Sequence, residues 1–163
     1  MKRVYQPLPV ISDEEIERIL QLGSIEELMI LSLSVGEHHA DWKTAQNICV
    51  ELSNHSDERV RANSALGFAY IARTKGKLEK HIVKPILLGL LENCSEHRGR
   101  VIDSIQDINS YMNWHLGEKA IERLIIDMID STRRSTYFGF RYRNRKGTIK
   151  MLFHLKNGRI WFL

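Results

Sequence analysis

Proline is scarce in this chain, three residues in 163, with none between Pro9 and Pro85. Glycine, at ten, is no commoner than in an ordinary globular domain. A chain this poor in both is not a linker, a collagen-like repeat or a disordered tail. Only two cysteines are present, Cys49 and Cys94, each inside or beside an apolar run. Two distant thiols make no disulfide framework and suit a reduced, cytoplasmic protein. No stretch reaches the roughly 20 apolar residues of a membrane span, and the opening "MKRVYQPLPVIS" lacks the apolar core of a signal peptide. The expectation is a cytoplasmic protein with no membrane contact.

Chemistry-bearing motifs are missing too. There is no Gly-rich phosphate loop and no Gly-x-Ser-x-Gly elbow. The seven histidines, His38, His39, His55, His81, His97, His115 and His154, form no His/Cys set with metal-ligand spacing. His38-His39 reads as a solvated loop pair. Asp103 and Asp107 stand at i, i+4 on one helix face, but general acid–base work needs burial and a reactive partner besides. We therefore expect no enzyme, no cofactor and no metal.

Acidic residues are absent from the last 33 positions. All 20 Asp and Glu fall in 1–130 beside fifteen of the 24 Lys and Arg, which leaves that part at −5. Residues 131–163 hold the other nine basic residues, a net of +9. So sharp a boundary predicts two modules, a helical domain over 1–130 and a basic element over 131–163.

What is there is mostly helical pattern. Ser12 with Glu15, and Ser24 with Glu27, are capping-box signatures, and Gly23 and Gly36 are placed to end the helices they open. Asp41 caps a third helix, "WKTAQNICVELSN", whose Trp42 reads as a core anchor. A fourth, "SDERVRANSALGFAYIA", is small or apolar on more than one side and ends near Gly76. A fifth spans 79–93 with Pro85 inside it, which predicts a kink or a late start. A sixth covers 97–113 and a seventh 117–131. Thereafter alternation replaces helical spacing, and Asn157-Gly158 is a strong hairpin signal. It predicts antiparallel strands at about 136–143, 148–156 and 159–163, with Leu155 opposite Ile160 and Phe153 opposite Phe162.

The helical part repeats. Sliding "ICVELSNHSDERVRANSAL" forward by 39 positions lands it on "LLGLLENCSEHRGRVIDSI", with Arg61 on Arg100 and Leu66 on Ile105. A period near 40 built from two helices marks an α-solenoid. A helix stacked on both sides buries more than one stripe, which accounts for the composition of the fourth. Leu66 is expected in the core.

The stretch "Asp-Glu-Arg-Val-Arg-x-x-x-Ala-Leu" resembles the second-helix opening of a HEAT repeat. The aspartate that such repeats carry six residues before the arginine is replaced by His55 and Cys94. Stacking is then expected to lean on apolar packing. Over roughly 5–113 the chain is similar to small bacterial HEAT-like proteins encoded beside toxins. Some of these are similar to immunity proteins of contact-dependent inhibition and related toxin systems.

That resemblance implies a mainly α protein, a short HEAT-like α-solenoid of helix pairs, to which the alternating pattern of the tail adds a small C-terminal antiparallel β-hairpin element. It also implies binding without chemistry: neutralisation of a cognate toxin by occlusion. The acidic charge suits a basic toxin such as a nuclease. Second helices line the concave face of HEAT arrays, so the expected partner-binding residues are Glu58, Asn63, Tyr70, Asp103, Asp107 and Tyr111, with Trp114 nearby. Two other readings stay open. Nine basic residues interleaved with aromatics in 131–163 would suit nucleic acid, and a generic protein scaffold is the third. The sequence does not fix the oligomeric state.

Overall fold

The computed structural model describes residues 7–132, 140–143, 149–156 and 159–162. The chain is mainly helical. It divides into two compact units, Met1–Gly117 and Glu118–Leu163.

The first unit holds six helices: α1 (Asp13–Leu22), α2 (Ile25–His38), α3 (Trp42–Leu52), α4 (Glu58–Lys75), α5 (Lys80–Asn93) and α6 (Arg98–Met112). The first four start on side chains of their own. Ser12 accepts from the Glu15 N–H at 3.3 Å. Ser24 and Glu27 exchange bonds as a full capping box. Asp41 accepts from the N–H groups of Lys43 and Thr44, and Asp57 from that of Arg59 at 2.8 Å. Each satisfies donors that the first helical turn leaves open. Gly76, at φ 62°, ends α4 in the left-handed conformation that favours glycine.

Gly36 does not end its helix, which runs on to His38. It lies where α2 meets α4, and a Cβ on it would come within 2.7 Å of the Gly67 carbonyl oxygen. Gly67 faces back: its Cβ would meet Cys49 Sγ at 2.6 Å and the Ser32 oxygen at 2.7 Å. These two glycines serve close helix approach. Pro85 neither delays nor ends α5. It is exposed, so the His81 carbonyl deprived of its helical donor can face water.

Helix α4 packs between α2 and α6. Its buried residues, Val60, Ala62, Ala65, Phe68, Ile71 and Ala72 among them, cover more than one side, as a sandwiched helix requires. Leu66 is only half-buried; the flanking Ala65 and Gly67 take the crowded positions, so the core role assigned to it is corrected.

Stacking is not left to apolar packing alone. Asn63, 5% exposed, donates from Nδ2 to the Met29 carbonyl on α2 and accepts at Oδ1 from Arg100 of α6, at 3.2 and 2.8 Å. One side chain thus bridges three helices. Arg61 and Arg100, equivalent by the 39-residue shift, do different work. Arg61 donates to the carbonyls of His55 and Ser56 in its own turn, whereas Arg100 crosses to Asn63. In the next pair Arg98 takes the turn-holding role, donating to Leu91 and Glu92.

The second unit contains α7 (Glu118–Thr132) and three short strands, β1 (Phe140–Arg143), β2 (Ile149–Lys156) and β3 (Arg159–Phe162), whose backbones pair antiparallel in the order β1-β2-β3. Lys156 pairs with Arg159, but Phe153 then faces Trp161 and not Phe162, because the register shifts by one residue between Phe153 and Lys156. The Asn157-Gly158 turn and residues 136–139, 148 and 163 of the expected strands lie outside the described residues, as do Arg133, Arg134, Arg145 and Lys146.

Candidate functional site

Contacts between α2, α4 and α6 run in the same order along all three helices, so these helices lie parallel. Glu58 at the start of α4 meets Glu96 and His97. Asn63 meets Arg100. Near the far end of α4, Arg73 meets Glu37 of α2. The six expected contact residues therefore separate along the length of the stack.

Glu58 and Asn63 are occupied by the fold. Glu58 Oε1 accepts the backbone N–H of both Glu96 and His97 at 2.8 Å, and those bonds hold its carboxyl below the ordinary range. Asn63 is spent on Met29 and Arg100. Asn109, the repeat counterpart of Tyr70, is spent too: it exchanges two bonds with the backbone of Leu116, at 3.0 and 2.8 Å. Trp114 is buried, with the Lys80 ammonium 5.4 Å from its ring centre.

Tyr70, Asp103, Asp107 and Tyr111 remain, and the structure adds two residues that the sequence did not single out, Glu37 and Arg73. Arg73 lies over the Tyr70 ring, 4.3 Å from its centre, and its Nη2 donates to Glu37 Oε2 at 2.9 Å. The ion pair fixes the guanidinium, and the guanidinium fixes the phenol ring beneath it. Arg73 follows Tyr70 by one helical turn, which was legible; its pairing with Glu37, 36 positions upstream, was not.

Asp103 and Asp107 are exposed. Neither has an ion pair among the described residues. Surrounding protein nevertheless removes part of their hydration and lifts both carboxyls above the ordinary aspartate range. The charge of Asp107 raises Asp103 further, while that of Arg73 pulls Asp107 back. Tyr111, one turn beyond Asp107, is 54% exposed. The result is a polar face with a clamped tyrosine–arginine platform on α4 and, on α6, two exposed carboxylates, of which Asp107 feels the charge of Arg73. It can receive a cation and offers no nucleophile–base pair.

His38 and His39 act as structural ties. His39 approaches Asp13 of α1 at 3.4 Å and bonds through Nδ1 to the Asp41 backbone, so it is no solvated loop residue. His38 Nε2 bonds to the Leu8 carbonyl at 3.1 Å. Trp42, expected as a core anchor, is half-buried under the Lys43 ammonium. Among the described residues no three His, Cys, Asp or Glu converge as a metal site, and no helix is long and apolar enough to cross a membrane.

No family model matches the chain, and no curated protein matches it. Among solved structures it is similar to a chain of the CDI complex from Cupriavidus taiwanensis LMG 19424. The two are 19% identical with a TM-score of 0.59, over 68% of this chain and 98% of the other. At that identity the likeness is one of fold: nearly the whole of that chain is laid out as about two-thirds of this one.

Proposed function

We propose that this protein is an immunity-type binding protein that captures a cognate toxin and neutralises it by occlusion, without chemistry of its own. The observation that carries the reading is the shared fold with a chain of a CDI complex, matched over 98% of that chain's length. The exposed carboxylates of α6, Asp103 and Asp107, beside the Tyr70–Arg73 platform support it. The toxin is basic, of the nuclease kind, and binding takes place in the cytoplasm. The helix pairs form a short HEAT-like solenoid, and residues 131–163 form an appended basic hairpin element. Tyr70, Asp103, Asp107 and Tyr111 meet the partner directly, whereas Glu58 and Asn63 act by keeping α6 in place.

Co-expression with the candidate cognate toxin domain tests this. Cells carrying the wild-type protein survive. Cells carrying the folded triple variant Tyr70→Ala, Asp103→Lys, Asp107→Lys do not. Full protection by that variant moves the interface elsewhere. No protection by the wild type, together with salt-sensitive binding of a nucleic acid by the intact chain, replaces immunity with a nucleic-acid function of the basic element.

A further inference from the structure

A cavity of about 390 Å³ opens between the α3–α4 turn and α5, at the other end of α4 from Tyr70 and Arg73. That volume is within the range of small-ligand sites. On one side α5 presents the stripe Pro85, Ile86, Gly89, Leu90 and Asn93, spaced by helical turns. Proline and glycine are the two poorest helix formers, and both stand on this stripe. Gly89 has ordinary helical backbone, and nothing lies within 4 Å of the place where its Cβ would stand. Neither a turn nor a close approach calls for glycine here. What the glycine leaves is room on the cavity wall.

The facing wall carries positive charge. Arg61 donates from Nη1 to the carbonyls of His55 and Ser56 at 2.9 and 2.7 Å, which fixes the guanidinium, and it lies beside the buried Cys94 thiol. It has no ion pair among the described residues. His55 accepts the Asp57 N–H at Nδ1, 3.0 Å away, so the proton of its neutral ring sits on Nε2 as a donor. Asn54 and Asn93 each give one amide hydrogen to a backbone carbonyl, of Val50 and Gly89, and keep a second. Among the described residues no Asp or Glu lines the cavity. The two acids nearest in sequence are engaged elsewhere, Asp57 with Arg59 and Glu58 with the N–H groups of Glu96 and His97.

We propose that this cavity binds a small organic oxyanion, a carboxylate or phosphate carried on an apolar body. The head group meets Arg61 and His55, with the amides of Asn54 and Asn93 beside it. The body lies along Ile86 and Leu90, where it gains burial that a bare inorganic ion cannot use. A guanidinium held in place suits either head group, because its donors are oriented before the ligand arrives. The site lies apart from the face proposed for a toxin and does not depend on that reading.

Two-dimensional NMR titration of the full chain with benzoate, phenyl phosphate and benzamide tests this. At least one of the two anions gives saturable shifts at His55, Arg61 and Gly89, and the tighter of them names the head group. Benzamide, in which a neutral amide replaces the charged carboxylate, binds at least about 10-fold more weakly than that anion, as expected for the loss of a bond to a charged group. Arg61→Gln weakens the anion about 10–100-fold for the same reason. Gly89→Leu leaves Arg61 and its turn untouched and abolishes binding by filling the cavity, so it decides the matter if Arg61→Gln fails to fold. Benzamide binding as tightly as the anions overturns the charge recognition. Unchanged affinity in folded Gly89→Leu overturns the location, and no saturable shift with either anion overturns the site.

Discussion

Gly67→Ala is the substitution on which the packing argument bears hardest. In an open helix it would gain about 1 kcal/mol, because alanine loses less backbone freedom than glycine. Here the new Cβ meets Cys49 Sγ at 2.6 Å and the Ser32 oxygen at 2.7 Å. Comfortable contacts begin near ~3.5 Å, so α4 has to draw back by almost 1 Å from two helices at once. Overpacking of a tight core costs ~1–3 kcal/mol. One of the two obstacles is backbone and cannot swing aside, so the upper end applies. Net of the propensity gain, the expected loss is about 2 kcal/mol, or a fall in Tm of roughly 4–8 °C for a chain of this size. The matched control is Gly89→Ala, whose Cβ meets nothing within 4 Å; it should gain ~0.5–1 kcal/mol. Adding Cys49→Ala to Gly67→Ala relieves the sulfur contact alone, so the combined loss should fall short of the sum of the two single losses. Urea denaturation of the four variants measures all of this. A Gly67→Ala protein as stable as wild type, alongside a stabilised Gly89→Ala, would refute the claim that the glycines set helix spacing.

Asp103→Asn should raise stability at pH 7 by ~0.2–0.5 kcal/mol, the cost of a like-charged i, i+4 pair. Because the folded carboxyl lies above its ordinary range, that gain should vanish on acidifying below the ordinary aspartate pKa, where both side chains are neutral, and appear as pH rises through the raised value; urea titrations across pH measure it. Glu58 has the opposite sign: its depressed carboxyl should stabilise the wild type over Glu58→Ala above pH ~4.5, and the gap should close as pH falls through the folded value. Asn63→Ala should cost about 2 kcal/mol or more by denaturation, since it strands the Arg100 donor and the Met29 carbonyl together. Native Cys49 and Cys94 should resist a thiol reagent at pH 8 and both react in denaturant, because burial excludes the reagent and pushes each thiol up.

Local chemistry was legible in the sequence and tertiary chemistry was not. Ser12, Ser24, Asp41 and Asp57 cap donors two or three residues away, so short patterns were enough to place four helix starts. Gly36 carries the same letter as a helix stop, yet its reason for being glycine is Gly67 on another helix. Glu58 and Asn63 read as contacts for a partner because they are polar on an apolar helix. Within the fold Glu58 bonds to residues 38 and 39 positions further along the chain and Asn63 to Arg100, 37 further along, beside its bond back to Met29; the forward distances are close to the 39-residue period. Donors and acceptors one period apart are therefore the signal that finds them. Of the candidate face, Asp103 and Asp107 were visible as an unusual like-charged pair, and Tyr70 as an aromatic on a second helix. The Glu37–Arg73 clamp was invisible because it joins two helices whose relative height no local pattern fixes.

Bonds made across helix pairs set the rules for rebuilding this array: Gln46 of α3 exchanges two bonds with Glu79 at the start of α5, as Glu58 of α4 holds the N–H groups of Glu96 and His97 ahead of α6. A copied α5–α6 pair moved to the front of the stack would arrive without its helix starts tied, because the residues that tie them belong to the pair before. An engineered array would have to carry Gln46 and Glu58 equivalents in every pair but the last, and Ser, Thr or Asp caps in whichever pair comes first. During synthesis the order is the same as on the drawing board: the pair that supplies the caps leaves the ribosome ahead of the pair that needs them.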